Sequence, residues 1–229
     1  MFLVGLTGGI ASGKSLVSAY LKQTYDIPII DADEVARFVV ARGSPKFDEV
    51  VLAFGSDYVD EANGELDREK LGALVFSDAE ARRRLNAITH PAIRWEILRR
   101  VLRTALRGHP FVVIDSPLLI ETRGHKVVQK LVVVNCNEET QLSRLAERND
   151  YGEEEARRRI EAQMPLRRKV ELADYVIEND GSREATFRQV DALVEQLRSS
   201  RLHWVARAVV VAVVVLGVCA VGAILASVF

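Results

Sequence analysis

Apolar residues fall in five short runs, near residues 2–6, 27–31, 111–115, 130–135 and 174–178. They are rich in β-branched residues and do not alternate with polar ones. Strands buried on both faces of a parallel sheet have this pattern. Between the runs the apolar spacing turns helical. Leu16, Val17, Tyr20 and Leu21 mark a helix over Ser15–Gln23, and Val35, Phe38 and Val39 one over Glu34–Val40. Phe47, Val50, Val51 and Phe54 share a face of a helix over Pro45–Phe54. Gly55–Leu66 is polar and loop-like, and Asp67 and Asp78 stand where N-caps of two helices belong (Asp67–Leu74, Asp78–Ile88). Thr89-His90-Pro91 is predicted to break the pattern before a long helix over Ala92–Arg107. Helices over Glu138–Arg148, Glu153–Met164 and Arg183–Arg198 complete the chain up to residue 200. Strands alternating with helices predict an α/β domain with one parallel sheet, whose ligands lie past the carboxyl ends of the strands.

The first strand leads into Gly8-Gly9-Ile10-Ala11-Ser12-Gly13-Lys14-Ser15. This is the phosphate-binding pattern G-x-x-x-x-G-K-S in its proper strand-to-helix context. Glycines let successive N–H groups face inward as an anion nest, and the helix start adds partial positive charge. Lys14 is placed to reach β- and γ-phosphates, and Ser15 to hold Mg²⁺ through its hydroxyl. A nucleoside triphosphate is therefore the expected ligand.

Acids follow two other strands. Asp31 and Asp33 close the second run; one suits an acceptor-activating base and the other a helix cap, and position does not assign them. Asp115 ends Phe-Val-Val-Ile-Asp, where a carboxylate supports a Mg²⁺ shell. Arg144, Arg148, Arg157, Arg158, Arg159, Arg167 and Arg168 are candidates for stabilising charge on a transferring phosphoryl group. Several of them also match helical pairing with Glu153, Glu154 and Glu155, the ordinary role of arginine on a charged helix.

Formal net charge is −1 over 229 residues, so there is no global basic field of the kind nucleic-acid binders carry. Two cysteines, Cys136 and Cys219, lie in unlike settings and predict neither a disulfide framework nor a metal cluster. The N-terminus has no basic region ahead of its first apolar run, so no signal peptide is expected. The C-terminus differs from the rest: Ala208–Phe229 contains no charged residue. As a helix rising roughly 1.5 Å per residue it would cross a bilayer core. Arg201, His203, Trp204 and Arg207 precede it and suit a cytosolic interface. The expected organisation is a globular domain over residues 1–203 and a transmembrane anchor over 204–229. The catalytic domain would then face the cytosol, with the mitochondrial outer membrane or the endoplasmic reticulum as candidate addresses.

Taken in order, Gly5-Leu-Thr-Gly-Gly-Ile-Ala-Ser-Gly-Lys-Ser15, Asp31-Ala-Asp33 with Arg37, His90-Pro91, Asp115-Ser-Pro-Leu-Leu-Ile-Glu121 and Ala173-Asp-Tyr-Val-Ile-Glu-Asn179 resemble the dephospho-CoA kinase family. The resemblance covers about residues 2–200. It implies a three-layer P-loop kinase with a five-stranded parallel sheet, a helical acceptor-binding region at about 45–108 and a lid at about 145–169. It also implies ATP-dependent phosphorylation of the ribose 3′-hydroxyl of dephospho-CoA, giving CoA and ADP with Mg²⁺. By that likeness Asp33 is the base, Arg37 holds the acceptor, and His90, Leu118 and Leu119 lie near it. Gly8–Ser15 bind ATP phosphates, Ser15 and Asp115 serve the metal, Arg144 meets phosphate from the lid side, and Asn179 lies by the adenine. Ala11 stands where the family often has Gly, and the apolar tail is an addition to the compact bacterial form. The alternatives are another P-loop nucleoside or nucleotide kinase, and a membrane-tethered nucleotide-binding module without transferase activity.

Overall fold

The computed structural model describes residues 1–149 and 152–200; for Arg148 and Asn149 it describes the backbone alone. The expected anchor at 204–229 lies outside the described residues. Among the described residues no helix is long and apolar enough to cross a membrane.

The chain divides into two compact units, one of Met1–Ile29 with the chain from Thr104 onward, the other of Ile30–Arg103. Strands β1 (Phe2–Gly8), β2 (Ile29–Asp31), β3 (Phe111–Asp115), β4 (Lys130–Asn135) and β5 (Tyr175–Glu178) form one sheet in the order β2-β3-β1-β4-β5. Strand β1 pairs in parallel with β3 on one side, Leu6 opposite Asp115, and with β4 on the other, Gly8 opposite Val134. Strand β5 extends the sheet beyond β4, also in parallel. The order reverses at β1, so the chain leaving β1 and the chain leaving β3 diverge from neighbouring strand ends. Such a crevice is where open α/β sheets bind ligands.

The first unit's core explains why the five runs do not alternate. Phe2, Val4 and Leu6 of β1, Phe111 and Val113 of β3, and Val132 and Val134 of β4 are buried with residues of two helices. These are α1 (Lys14–Tyr25), contributing Val17 and Leu21, and α9 (Arg183–Ser199), contributing Val190, Leu193, Val194 and Leu197. Phe187 stacks on Tyr20 with ring centroids 4.0 Å apart, and both Tyr20 and Tyr25 hydroxyls donate to Asp191. The same unit carries α6 (Glu138–Asn149), α7 (Glu153–Glu161) and α8 (Leu166–Glu171). The helix expected through Met164 stops earlier, because the side chain of Gln163 is engaged elsewhere and Pro165 opens the next helix.

The second unit holds α2 (Ala32–Val39), α3 (Pro45–Phe54), α4 (Arg68–Ser77) and most of α5 (Ala79–Leu106). Asp67 caps α4 through the N–H groups of Glu69 and Lys70, and Asp78 accepts from Glu80 and Ala81, as the pattern predicts. The break expected at Thr89-His90-Pro91 is absent: α5 runs through Pro91 as a single helix. Proline removes one N–H and crowds the carbonyl of Ala87, at a cost of about 3 kcal/mol in a helix interior. The apolar positions on both sides of it nevertheless continue on one helix, and the Thr89 hydroxyl donates to the Leu85 carbonyl at 2.9 Å.

Candidate active site

The phosphate loop is built from its carbonyls outward. Gly8 O accepts from Lys169 Nζ (3.1 Å), and Gly9 O accepts from the Ser12 N–H (3.2 Å). Ile10 O accepts from Gln141 Nε2 (2.6 Å), Ala11 O from Arg144 (3.3 Å), and Ser12 O from Arg144 (3.4 Å) and Asn179 Nδ2 (2.7 Å). Gly13 O accepts from Leu16 and Val17 at the start of α1. With every carbonyl from Gly8 to Gly13 engaged, the N–H groups of Ala11, Gly13, Lys14 and Ser15 have no protein acceptor among the described residues. That polarity is what an anion nest requires.

Gly13 is glycine for two reasons. Its φ is +91°, and a Cβ there would stand 1.9 Å from Asn179 Nδ2. Ala11 sits at φ +58°, in the left-handed region where a Cβ is disfavoured and glycine would carry no such penalty. The hydroxyl of Ser12 is buried and unpartnered among the described residues.

Lys14 Nζ lies 2.5 Å from Asp115 Oδ1, with the carboxylate largely buried. Ser15 is exposed beside it on the first turn of α1. A buried-edge carboxylate and a free-standing hydroxyl are oxygen donors of the kind Mg²⁺ takes together with phosphate oxygens and water, so the residue set fits that ion. Among the described residues no cluster of three or more His, Cys, Asp or Glu could hold a metal by itself.

Several expected residues take unexpected positions. Arg144 points its guanidinium at the loop's carbonyls and at Asn179 O (2.7 Å). Asn179 is buried, donating to Ser12 O and accepting from the Thr186 hydroxyl at 2.8 Å. Leu119 is buried over β1, its methyl filling the space a Gly5 side chain would need, whereas Leu118 is exposed. The side chain of Arg148 lies outside the described residues. Arg157 and Arg159 pair with Glu153 and Glu155, and Arg168 with Glu171.

In the second unit, Asp31 is the cap of α2: one carboxylate oxygen accepts from Asp33 N (2.8 Å) and Glu34 N (3.0 Å). Asp33 lies exposed in the first helical turn. Arg37, one turn on, borders a mostly apolar cavity of about 240 Å³ with Val40, Leu71, Val75 and Ile93. A larger depression of about 600 Å³, lined by Phe54, Tyr58, Arg83 and Arg84, carries none of the expected site residues. His90 lies half-buried on α5. Glu96 on the same helix is held at a pKa of about 2, because Arg99 and then Arg100 hydrogen-bond its carboxylate against the opposing effect of burial.

Sequence reasoning missed Gln141, Gln163 and Lys169. Gln163 Oε1 accepts from the Ile10 N–H at 3.0 Å. A lone glutamine, whether on a charged helix as Gln141 or just past a helix end as Gln163, gives no periodic signal, and Lys169 is hidden in a basic run that reads as solvated.

A parallel α/β sheet with a phosphate loop after β1 and an acid ending the neighbouring β3 defines a P-loop kinase. The dephospho-CoA kinase family profile matches residues 2–185, and the chain belongs to that family. It is 50% identical over 213 residues to a dephospho-CoA kinase domain-containing protein of Danio rerio, covering 93% of this chain and 92% of that one. It is 49% identical over 193 residues to dephospho-CoA kinase of Geobacillus kaustophilus, covering 84% of this chain and 95% of that one. A crystal structure from Thermus thermophilus superposes with TM-score 0.74 at 34% identity, covering 86% of this chain and 97% of that one. Dephospho-CoA kinase from Campylobacter jejuni shares the fold with TM-score 0.65 at 24% identity, over 85% of this chain and 96% of that one.

Proposed function

We propose that this protein transfers the γ-phosphoryl group of ATP to the ribose 3′-hydroxyl of dephospho-CoA, giving CoA and ADP, the last step of coenzyme A synthesis. The observation that carries the reading is the phosphate loop with its carbonyls tied back and its N–H groups left to an anion, in a chain of the dephospho-CoA kinase family.

In this reading Gly8–Ser15 wrap the ATP phosphates, and Lys14 exchanges Asp115 for the phosphoryl oxygens, where charge grows as transfer proceeds. Asp33 accepts the proton of the acceptor hydroxyl while the new O–P bond forms and the bond from the γ-phosphorus to the bridging oxygen breaks, ADP leaving. Asp33 suits that role because Asp31 already caps α2. Arg37 and the cavity beside it receive the acceptor. Ser15 and Asp115 would hold Mg²⁺, which would supply neutralising charge to the phosphates. Arg144 and Asn179 act by holding the phosphate loop in shape.

An acceptor panel on the full chain tests the substrate: dephospho-CoA, adenosine, nucleoside monophosphates and gluconate, with ATP and Mg²⁺. Turnover confined to dephospho-CoA is expected. Turnover of a monophosphate without dephospho-CoA would assign a different P-loop kinase. ATP binding with no transfer to any acceptor would leave a nucleotide-binding module.

We further propose that residues 204–229 anchor the protein in a membrane, on the strength of their uncharged run and the basic and aromatic residues before it. The full chain should stay with membranes through alkaline carbonate washing, and a chain ending at residue 203 should not. Retention of the shortened chain would end that proposal.

A further inference from the structure

Lys169 is fully buried, and its ammonium has all three of its protons matched. Nζ donates to Gly8 O at 3.1 Å and Pro117 O at 2.8 Å, and pairs with Glu121 Oε1 at 2.8 Å. These three acceptors belong to two pieces of chain, the exit of β1 and the loop after β3. Gly8 is the first glycine of the phosphate loop. Pro117 follows Asp115 by two residues. Glu121 lies four residues further along the same loop and also accepts the Met164 N–H (3.2 Å), which fixes the approach to α8. Thr7 adds a second tie between the same two strands' exits, its hydroxyl donating to Pro117 O at 3.1 Å.

A buried ammonium is costly unless it is paired and hydrogen-bonded, and a well-packed apolar side chain often serves stability as well. An ion pair kept for stability needs only Glu121. Two of the three bonds go instead to main-chain carbonyls, one at the entrance of the phosphate loop and one in the turn after Asp115. We propose that Lys169 is a positioning residue for the phosphoryl donor. It fixes the Gly8 peptide and the turn after β3 against each other, and so holds Lys14 and Asp115 beside one another at the donor site. The geometry resembles a tripod whose feet are the two strand exits and the counter-ion.

The proposal rests on the ATP-dependent activity above, and its test separates the two. Lys169→Met, Glu121→Gln and the double variant Lys169→Met/Glu121→Leu are compared with the unaltered full chain. The readouts are melting temperature, KM for ATP, kcat with dephospho-CoA, and the dissociation constant of ADP measured without acceptor. Lys169→Met is expected to lower the melting temperature, since it strands Glu121, and to weaken ADP and ATP. The double variant is expected to regain melting temperature while its kcat/KM for ATP stays about ten- to a hundredfold low, the size that small misplacements of a reacting group produce. Recovery of nucleotide affinity and turnover together with melting temperature would overturn the proposal, because a stabilising ion pair would then suffice. If the double variant stays unstable, the single variants decide below their melting temperatures. A loss of ADP affinity confined to Lys169→Met supports the positioning role, and an equal loss in Glu121→Gln overturns it. Absence of dephospho-CoA turnover by the unaltered chain would count against the substrate alone, since ADP binding is read independently of the acceptor.

Discussion

The ammonium of Lys14 and the carboxylate of Asp115 lie 2.5 Å apart, joining the first turn of α1 to the last residue of β3. This pair connects two strand exits that the sheet makes adjacent. It also keeps a largely buried carboxylate compensated until phosphate draws the lysine away. Lys14→Ala should therefore lower kcat/KM for ATP by at least about a hundredfold, matching about 3 kcal/mol for a lost charge-stabilising donor. Asp115→Asn should lower kcat and raise the Mg²⁺ concentration needed for half-maximal rate. Steady-state kinetics with Mg²⁺ varied at fixed ATP checks both. An unchanged Mg²⁺ requirement in Asp115→Asn would remove Asp115 from the metal's surroundings.

Asp31 and Asp33 should separate cleanly by assay. Asp31→Ala removes the acceptor for two N–H groups of α2 and should cost about 1 kcal/mol of stability, seen as a lower melting temperature. Asp33→Asn should leave melting almost unmoved and cut kcat by two to four orders of magnitude (about 10²–10⁴), with nucleotide affinity kept. The reverse pattern would exchange their roles.

Ala11 offers a test in the stabilising direction. At φ +58° its Cβ carries a penalty of about 1 kcal/mol that glycine escapes. Ala11→Gly also loosens the unfolded chain, which offsets part of the gain. The expected result in thermal unfolding is a melting temperature equal or higher, with KM for ATP unchanged. A clear fall would show that the left-handed conformation is not strained.

Glu96 gives a pH signature for the second unit. Its pKa falls from 4.5 to about 2, through Arg99 first and Arg100 next. A carboxylate depressed on folding contributes its stability above its unfolded pKa and loses it as pH drops through the folded one. The stability difference between the unaltered protein and Glu96→Gln should be largest near neutral pH, up to about 3 kcal/mol, and should shrink between pH 4.5 and pH 2. Chemical denaturation at several pH values measures it. A difference independent of pH would mean the arginines do not act through the charge of Glu96.

The sequence displayed the donor half of this protein plainly, because spacing and context coincide at Gly8–Ser15 and because strands buried on both faces cannot alternate. The cap positions of Asp67 and Asp78 were legible for the same local reason. Which of Asp31 and Asp33 caps α2 was not, since either residue can begin a helix and only backbone geometry chooses. Pro91 misled because a local cost does not by itself end a helix whose apolar face continues on both sides. The ring of side chains behind the phosphate loop was illegible for a different reason. Gln141, Gln163 and Lys169 act over separations of more than a hundred residues on main-chain groups, Gln141 and Lys169 on carbonyls and Gln163 on the Ile10 N–H, which leave no mark in composition or periodicity.

The central claim is tested most directly by incubating the purified full chain with dephospho-CoA, ATP and Mg²⁺ and quantifying CoA and ADP by chromatography with mass detection. The account predicts CoA and ADP in equal amounts, with the added phosphate on the ribose 3′-oxygen. ADP formed without CoA, or no product from dephospho-CoA under conditions where another acceptor is phosphorylated, would contradict it.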